Sequence, residues 1–126
     1  MMANFNKYST QGRHLMIDYS ECEQSILNDV TRIEGMLLGA TSAAKMNVIG
    51  HIKHSFPVEG VSCIVLIAES HLSIHTWPSQ GYAAVDCYTC GLEGNPFDAH
   101  EYIREALGSK NFKLRLVTRG LSLFNY

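Results

Sequence analysis

The chain has 126 residues, enough for one domain that buries roughly two thirds of its unfolded surface and needs no disulfide or metal staple. Apolar residues make up 46% and charged residues 17%, the composition of an ordinary globule. Ten Lys plus Arg against twelve Asp plus Glu give a net charge of -2 with no basic stripe, which argues against a nucleic-acid partner.

Residues 1–11 are polar and are expected to be loose. Met1 to Gly12 lacks the basic and apolar regions of a signal peptide, and the longest apolar run, Val61 to Ala68, is too short for a membrane span. Cys22, Cys63, Cys87 and Cys90 therefore read as free thiols of a cytoplasmic protein. Leu15, Ile17 and Tyr19 alternate with His14, Met16 and Asp18, the period of a strand. Ile26, Leu27, Val30, Ile33, Met36 and Leu37 recur at helical spacing, with Ser20 as the expected N-cap. Gly35 and Gly39 each weaken that helix by about 1 kcal/mol relative to Ala, which points to close packing against a sheet. Asn47 to Phe56 reads as a second strand and Pro57 to Gly60 as a turn. Val61 to Glu69 is a continuous stretch rich in β-branched residues and reads as a strand buried on both faces. Leu72, Ile74 and Thr76 alternate with Ser73, His75 and Trp77; after a turn at Pro78 to Gly81, Tyr82 to Cys90 is another strand. Asn95-Pro96 opens a helix that runs to Leu107 and stops at Gly108. Phe112, Leu114 and Leu116 give a last strand with one wet face. The order predicts a single α+β domain over residues 1–126, an antiparallel sheet with two helices on one face. The other face needs cover, and a homodimer stacking sheet on sheet, an α/β/β/α sandwich, would supply it.

The segment Glu69-Ser70-His71, at the end of an apolar strand, carries the chemistry. It places a hydroxyl nucleophile, a carbonyl it can attack and an imidazole close together in sequence. Backbone self-cleavage needs the Ser70 hydroxyl held against the preceding carbonyl, a donor for the oxyanion, and a base for the Ser70 α-proton. His75 is the candidate for that proton work. On a strand, His71, Ser73, His75 and Trp77 share one face. His71 and His75 are also a metal pair at i, i+4, but on a strand that spacing spans about 13 Å, so metal binding is discounted. Cys87 and Cys90 form C-x-x-C, a redox or half-zinc spacing when it lies on a turn. Within a strand the two thiols face opposite sides, leaving Cys87 as a buried small hydrophobe and Cys90 exposed beside Gly91 as a candidate general acid. Phe56 and Trp77 flank the reactive segment and can stack on a flat ligand. His54 and Ser62 carry no signal by themselves.

Gly12-Arg13-His14-Leu15, His54-Ser55-Phe56, Gly60-Val61-Ser62, Glu69 through Pro78, Gly81 through Asp86 and Thr89-Cys90-Gly91 together resemble the bacterial and archaeal S-adenosylmethionine decarboxylase proenzymes, over about residues 12–110. The resemblance implies cleavage between Glu69 and Ser70 into a β chain, 1–69, and an α chain, 70–126, with Ser70 becoming a covalent pyruvoyl group, the pyruvate cofactor of the enzyme. It implies that His75 and Ser62 assist processing, that Cys90 protonates the product, and that Phe56 stacks on adenine. It also implies a homodimer with active sites between subunits, acting on a small-molecule substrate in the cytoplasm without membrane or nucleic acid. One departure stands out. After Trp77-Pro78 the family commonly has a Glu that binds ribose hydroxyls, and here the chain reads Ser79-Gln80. Losing that carboxylate costs about 1.5–3 kcal/mol per charged hydrogen bond. Relatives that act on arginine or ornithine by the same pyruvoyl chemistry are therefore the alternative. A non-catalytic regulatory homologue and a small metal or redox protein are the readings outside this enzyme class. Intact Ser70, His75 and Cys90 argue against the first of these.

Overall fold

The computed structural model of the chain describes residues 9–91 and 94–121; the expectation of looseness for residues 1–8 falls outside them. Strand β1 (Gly12–Ser20) leads through a one-turn helix α1 (Gln24–Leu27) into α2 (Val30–Ala43). Strands β2 (Val48–Ser55), β3 (Val61–Ile67), β4 (Ser70–Trp77) and β5 (Tyr82–Cys90) follow, then helix α3 (Pro96–Leu107) and strand β6 (Asn111–Arg119). The strands form one sheet in the order β2-β3-β4-β5-β1-β6, with every neighbouring pair antiparallel. This is the α+β architecture read from the sequence. Among the described residues, no helix is long and apolar enough to cross a membrane.

Strand parity divides the sheet into two faces. Leu15, Ile17 and Tyr19 of β1, Val61, Cys63, Val65 and Ile67 of β3, Leu72 and Ile74 of β4, and Ala83, Val85 and Cys87 of β5 point to one side. There they meet Ile33, Met36, Leu37 and Ala40 of α2 and Ala99, Ile103 and Leu107 of α3 in a single buried cluster. The opposite face carries no helix among the described residues. It holds His14, Asp18, Ser62, Ile64, Leu66, His75, Trp77, Asp86 and Tyr88.

Several local expectations change. The first helical run is broken at Asn28-Asp29, and the Asp29 side chain, not Ser20, caps α2 by accepting from the Arg32 N–H. Ser20 is the last residue of β1. Strand β3 is buried on one face only: Ile64 is 43% and Leu66 51% exposed, and the strand ends at Ile67. Strand β6 is an edge, so Phe112 and Leu116 stay largely exposed on the helix side and only Leu114 packs on the core. Helix α3 is capped as expected, with the Asn95 side chain accepting from the Phe97 N–H and Gly108 closing the helix at φ 61°. Thr10 and Gln11 are tied down by hydrogen bonds to the Leu121 main chain.

The two helix glycines have different environments. A Cβ at residue 39 would overlap the Tyr102 phenol of α3, so the close packing is between helices and not against the sheet. Around Gly35 a Cβ would meet nothing within 4 Å. Gly35→Ala is therefore expected to stabilise the protein by up to about 1 kcal/mol through helix propensity. Gly39→Ala should gain less because Tyr102 has to swing aside. Thermal or denaturant unfolding of the two variants measures the difference.

Candidate active site

Strands β3 and β4 are joined by Ala68 and Glu69 alone, and Asn47 clamps this turn from three sides. The Ala68 N–H donates to the Asn47 carbonyl (2.8 Å), the Asn47 N–H to Glu69 Oε1 (3.2 Å) and the Asn47 side-chain amide to Glu69 Oε2 (2.9 Å). The Glu69 carbonyl accepts a hydrogen bond from the Cys90 N–H at 2.9 Å. Ser70 stands opposite Thr89 in the β4–β5 register, with φ 159° beside fully extended backbone. With the Cys90-to-Glu69 bond flanking it, Ser70 and Thr89 form the narrow, non-hydrogen-bonded kind of antiparallel pair, about 4.5 Å between Cα atoms. Thr89 is fully buried, and among the described residues its Oγ1 is the buried side-chain oxygen with no hydrogen-bond partner. An orphan of this kind costs about 1–3 kcal/mol in the folded state.

The proton-transfer candidates lie elsewhere. Ser62 Oγ and His75 Nδ1 share a hydrogen bond of 2.6 Å on the open face, directly across the β3–β4 pair. His75 is five residues along β4 from Ser70, about 16 Å, and on the opposite pleat. One protomer does not bring Ser70 and His75 together.

The four thiols separate by burial. Cys87 is 1% exposed, and burial pushes its thiol up to about 12; burial likewise pushes Cys63 to about 11 and raises Cys22. Cys90 is partly exposed at the end of β5. Its partner on the open face is Tyr88, whose phenol is raised first by a hydrogen bond to Cys90, with the Arg119 guanidinium 4.9 Å over the ring. Beside them His14 Nε2 and Asp86 Oδ1 lie 2.9 Å apart.

The aromatic candidates sit at the His75 end. Phe56 is 48% exposed in the β2–β3 loop, with the His54 ring edge-on at 4.6 Å. Trp77, 43% exposed, lies 5.2 Å from Tyr82, whose hydroxyl donates to Asp18 at 2.6 Å and is thereby pushed up to about 12. The Ser79 N–H donates to Glu59 Oε1 at 2.7 Å, so a carboxylate from another loop stands at Ser79. Glu59, Asn47 and Thr89 escape a reading by motif. Asn47 and Glu59 act across chain separations that no spacing reveals, and Thr89 differs from other strand threonines only by lacking a partner.

The profile of the family described as "S-adenosylmethionine decarboxylase" matches residues 13–120. The chain belongs to this family. It is 43% identical over 110 residues to the S-adenosylmethionine decarboxylase proenzyme of Pelotomaculum thermopropionicum, covering 87% of each chain. It is 44% identical over 110 residues to the proenzyme of that name from Clostridium tetani, again over 87% of each. Its fold superposes on the crystal structure of the adenosylmethionine decarboxylase from Aquifex aeolicus with a TM-score of 0.86 at 33% identity, covering 94% of this chain and 98% of that one. The S-adenosylmethionine decarboxylase reading of the sequence is thus the one these relatives support, and none of them points to arginine or ornithine.

The different exposure of the thiols has a direct readout. Brief treatment of the native family member with an alkylating reagent at pH 8 should add one group, at Cys90, while Cys22, Cys63 and Cys87 stay protonated and covered. Peptide mass spectrometry finding early modification of Cys87 would contradict this arrangement.

Proposed function

We propose that this chain is a self-cleaving precursor whose residue 70 becomes a pyruvoyl group, and that the mature enzyme decarboxylates S-adenosylmethionine to the aminopropyl donor for spermidine. The observation that carries the proposal is the Glu69-Ser70 linkage itself, its carbonyl already hydrogen-bonded by the Cys90 N–H and its turn held by Asn47. These residues fit the formation of such a group. Ser70 Oγ adds to the Glu69 carbonyl carbon, the charge develops on an oxygen that already has a donor, and the C–N bond breaks as the hydroxyl proton passes to nitrogen. The product is an ester. Removal of the Ser70 α-proton expels the ester oxygen with the Glu69 carboxylate, and water hydrolyses the remaining amino-acrylate with release of ammonia. The chain then consists of a β chain, 1–69, and an α chain, 70–126. When present, the pyruvoyl carbonyl is an electron sink for the pair left by departing carbon dioxide.

The remaining machinery is at the far end of the sheet. His75 is assigned to the α-proton and Ser62 to holding its ring, since Ser62 Oγ meets His75 Nδ1 at 2.6 Å. Because these lie about 16 Å from Ser70 along β4, a two-fold dimer supplies them from the partner subunit. The uncovered face favours that assembly: Ile52, Ile64 and Leu66 form an apolar strip on it, 70%, 43% and 51% exposed. Stacking two such faces antiparallel about the two-fold axis lays one protomer's His75 end over the other's Ser70 end. Phe56 and Trp77 then offer exposed rings to the adenine near the same junction. Ser79 lines the ribose side, where the Glu59 carboxylate supplies the acid that the chain lacks after Pro78. Cys90, at the Ser70 end of β5, returns the proton to the product.

Purified wild-type protein should run as two polypeptides under denaturing conditions and release carbon dioxide from carboxyl-labelled S-adenosylmethionine. An uncut chain, or release from arginine or ornithine alone, would overturn the proposal. Ser70→Ala and His75→Ala should each be uncut and inactive, and the His75→Ala ester should still split with hydroxylamine. Co-expressed, the two variants should recover up to half the wild-type activity per mixed dimer. Failure of the mixture to cleave would show that each protomer serves itself.

A further inference from the structure

Thr89 is not one of the residues through which the processing chemistry was read, yet it has the most unusual environment near the bond. Its side chain is fully buried and its Oγ1 has no partner among the described residues. Both neighbouring strands present a residue to it: Ser70 on β4 and Arg13 on β1. The Arg13 guanidinium does not turn to Thr89; it donates to the Gly94 carbonyl at 2.8 Å. Parity puts Ser70 and Thr89 on the same side of the sheet, and their pair is the close-approach kind. Buried hydroxyls nearly always find a partner, so one left unpaired beside a reactive bond calls for an explanation.

We infer that the Thr89 hydroxyl is reserved for the tetrahedral centre formed when Ser70 Oγ adds to the Glu69 carbonyl, donating to the oxyanion as a second group beside the Cys90 N–H. An interaction that is absent in the precursor and made only as the carbonyl rehybridises lowers the barrier without stabilising the starting amide. The step is an isomerisation: one C–O bond forms, one C–N bond breaks, and the hydroxyl proton of Ser70 ends on its nitrogen. Thr89 gains and loses no atoms. This assignment deepens the self-cleavage reading and depends on it.

The test uses the full chain with Thr89→Val, Thr89→Ser and Thr89→Ala beside wild type, followed from synthesis by denaturing gel. Thr89→Val keeps the shape and removes the orphan, so its melting temperature should not fall. Its cleavage should slow about a hundredfold, the usual effect of losing one oxyanion donor. The uncut fraction should resist hydroxylamine, because the block precedes the ester, and Thr89→Ser should restore the rate. Wild-type cleavage rates in the Val variant would overturn the inference. So would a slow Val variant that hydroxylamine splits, which places the block after the ester. Should Thr89→Val not fold, Thr89→Ser against Thr89→Ala decides: equal rates overturn it and a faster Ser variant supports it. A wild-type chain that never cleaves would instead defeat the self-cleavage reading, and this assignment with it.

Discussion

A single main-chain hydrogen bond, from the Cys90 N–H to the Glu69 carbonyl, organises the chemistry proposed for this molecule. It polarises the carbonyl of the bond that precedes Ser70 and fixes which residue lies opposite this proposed nucleophile. Everything around it maintains its register. Antiparallel pairing on both sides of β5 leaves that strand no freedom to slide, since it is held by β4 along one edge and β1 along the other. A slip of one residue would also turn Val85 and Cys87 out of the core, which is why the register is so firmly set. Folding energy and reactive geometry thus come from the same strand pairing.

The sheet has two ends that carry candidate site residues and, among the described residues, one uncovered face. Glu69, Ser70, Thr89 and Cys90 gather at one end. Ser62, His75, Phe56 and Trp77 gather at the other. A strand of eight residues separates them, so in the proposed mechanism neither end is a complete site. In the proposed dimer, assembly and maturation become one event: an unpaired protomer has a nucleophile without its base. The apolar strip of Ile52, Ile64 and Leu66 then has two roles, covering surface and aligning chemistry.

Much of this was legible from residue order. Period-two alternation located β1 and β4 because their helix-facing residues are mostly aliphatic and their outward ones mostly polar. Asn95, Pro96 and Gly108 marked both ends of α3 because capping is local physics. The reading went astray where tertiary context decides. Val61 to Glu69 looks buried throughout because both its faces are mostly apolar, yet a single protomer covers only one of them. The break at Asn28-Asp29 was hidden by an unbroken helical spacing of apolar residues, since Val30 continues the pattern across the kink. At the site, Ser70 and its motif were visible, whereas the clamp by Asn47 and the carboxylate of Glu59 at Ser79 depend on loops meeting in space. The distance from Ser70 to His75 was calculable from strand geometry, but only the register and the two faces show that it cannot be closed within one chain.

The hairpin of β4 and β5 is symmetric about its corner. Ser70 to Trp77 runs eight residues out, and Tyr82 to Thr89 runs eight residues back. At the corner Gly81 adopts φ 61°, and a Cβ there would come within 3.2 Å of the Cys22 carbonyl, so the bend is seated tightly against the start of the helical layer. The arm therefore works as a calliper whose far tips meet beside the amide proposed to be cut. One residue added to either arm would have to be absorbed as a bulge near the corner to keep Val85 and Cys87 in the core, because any other accommodation changes which residue faces Ser70.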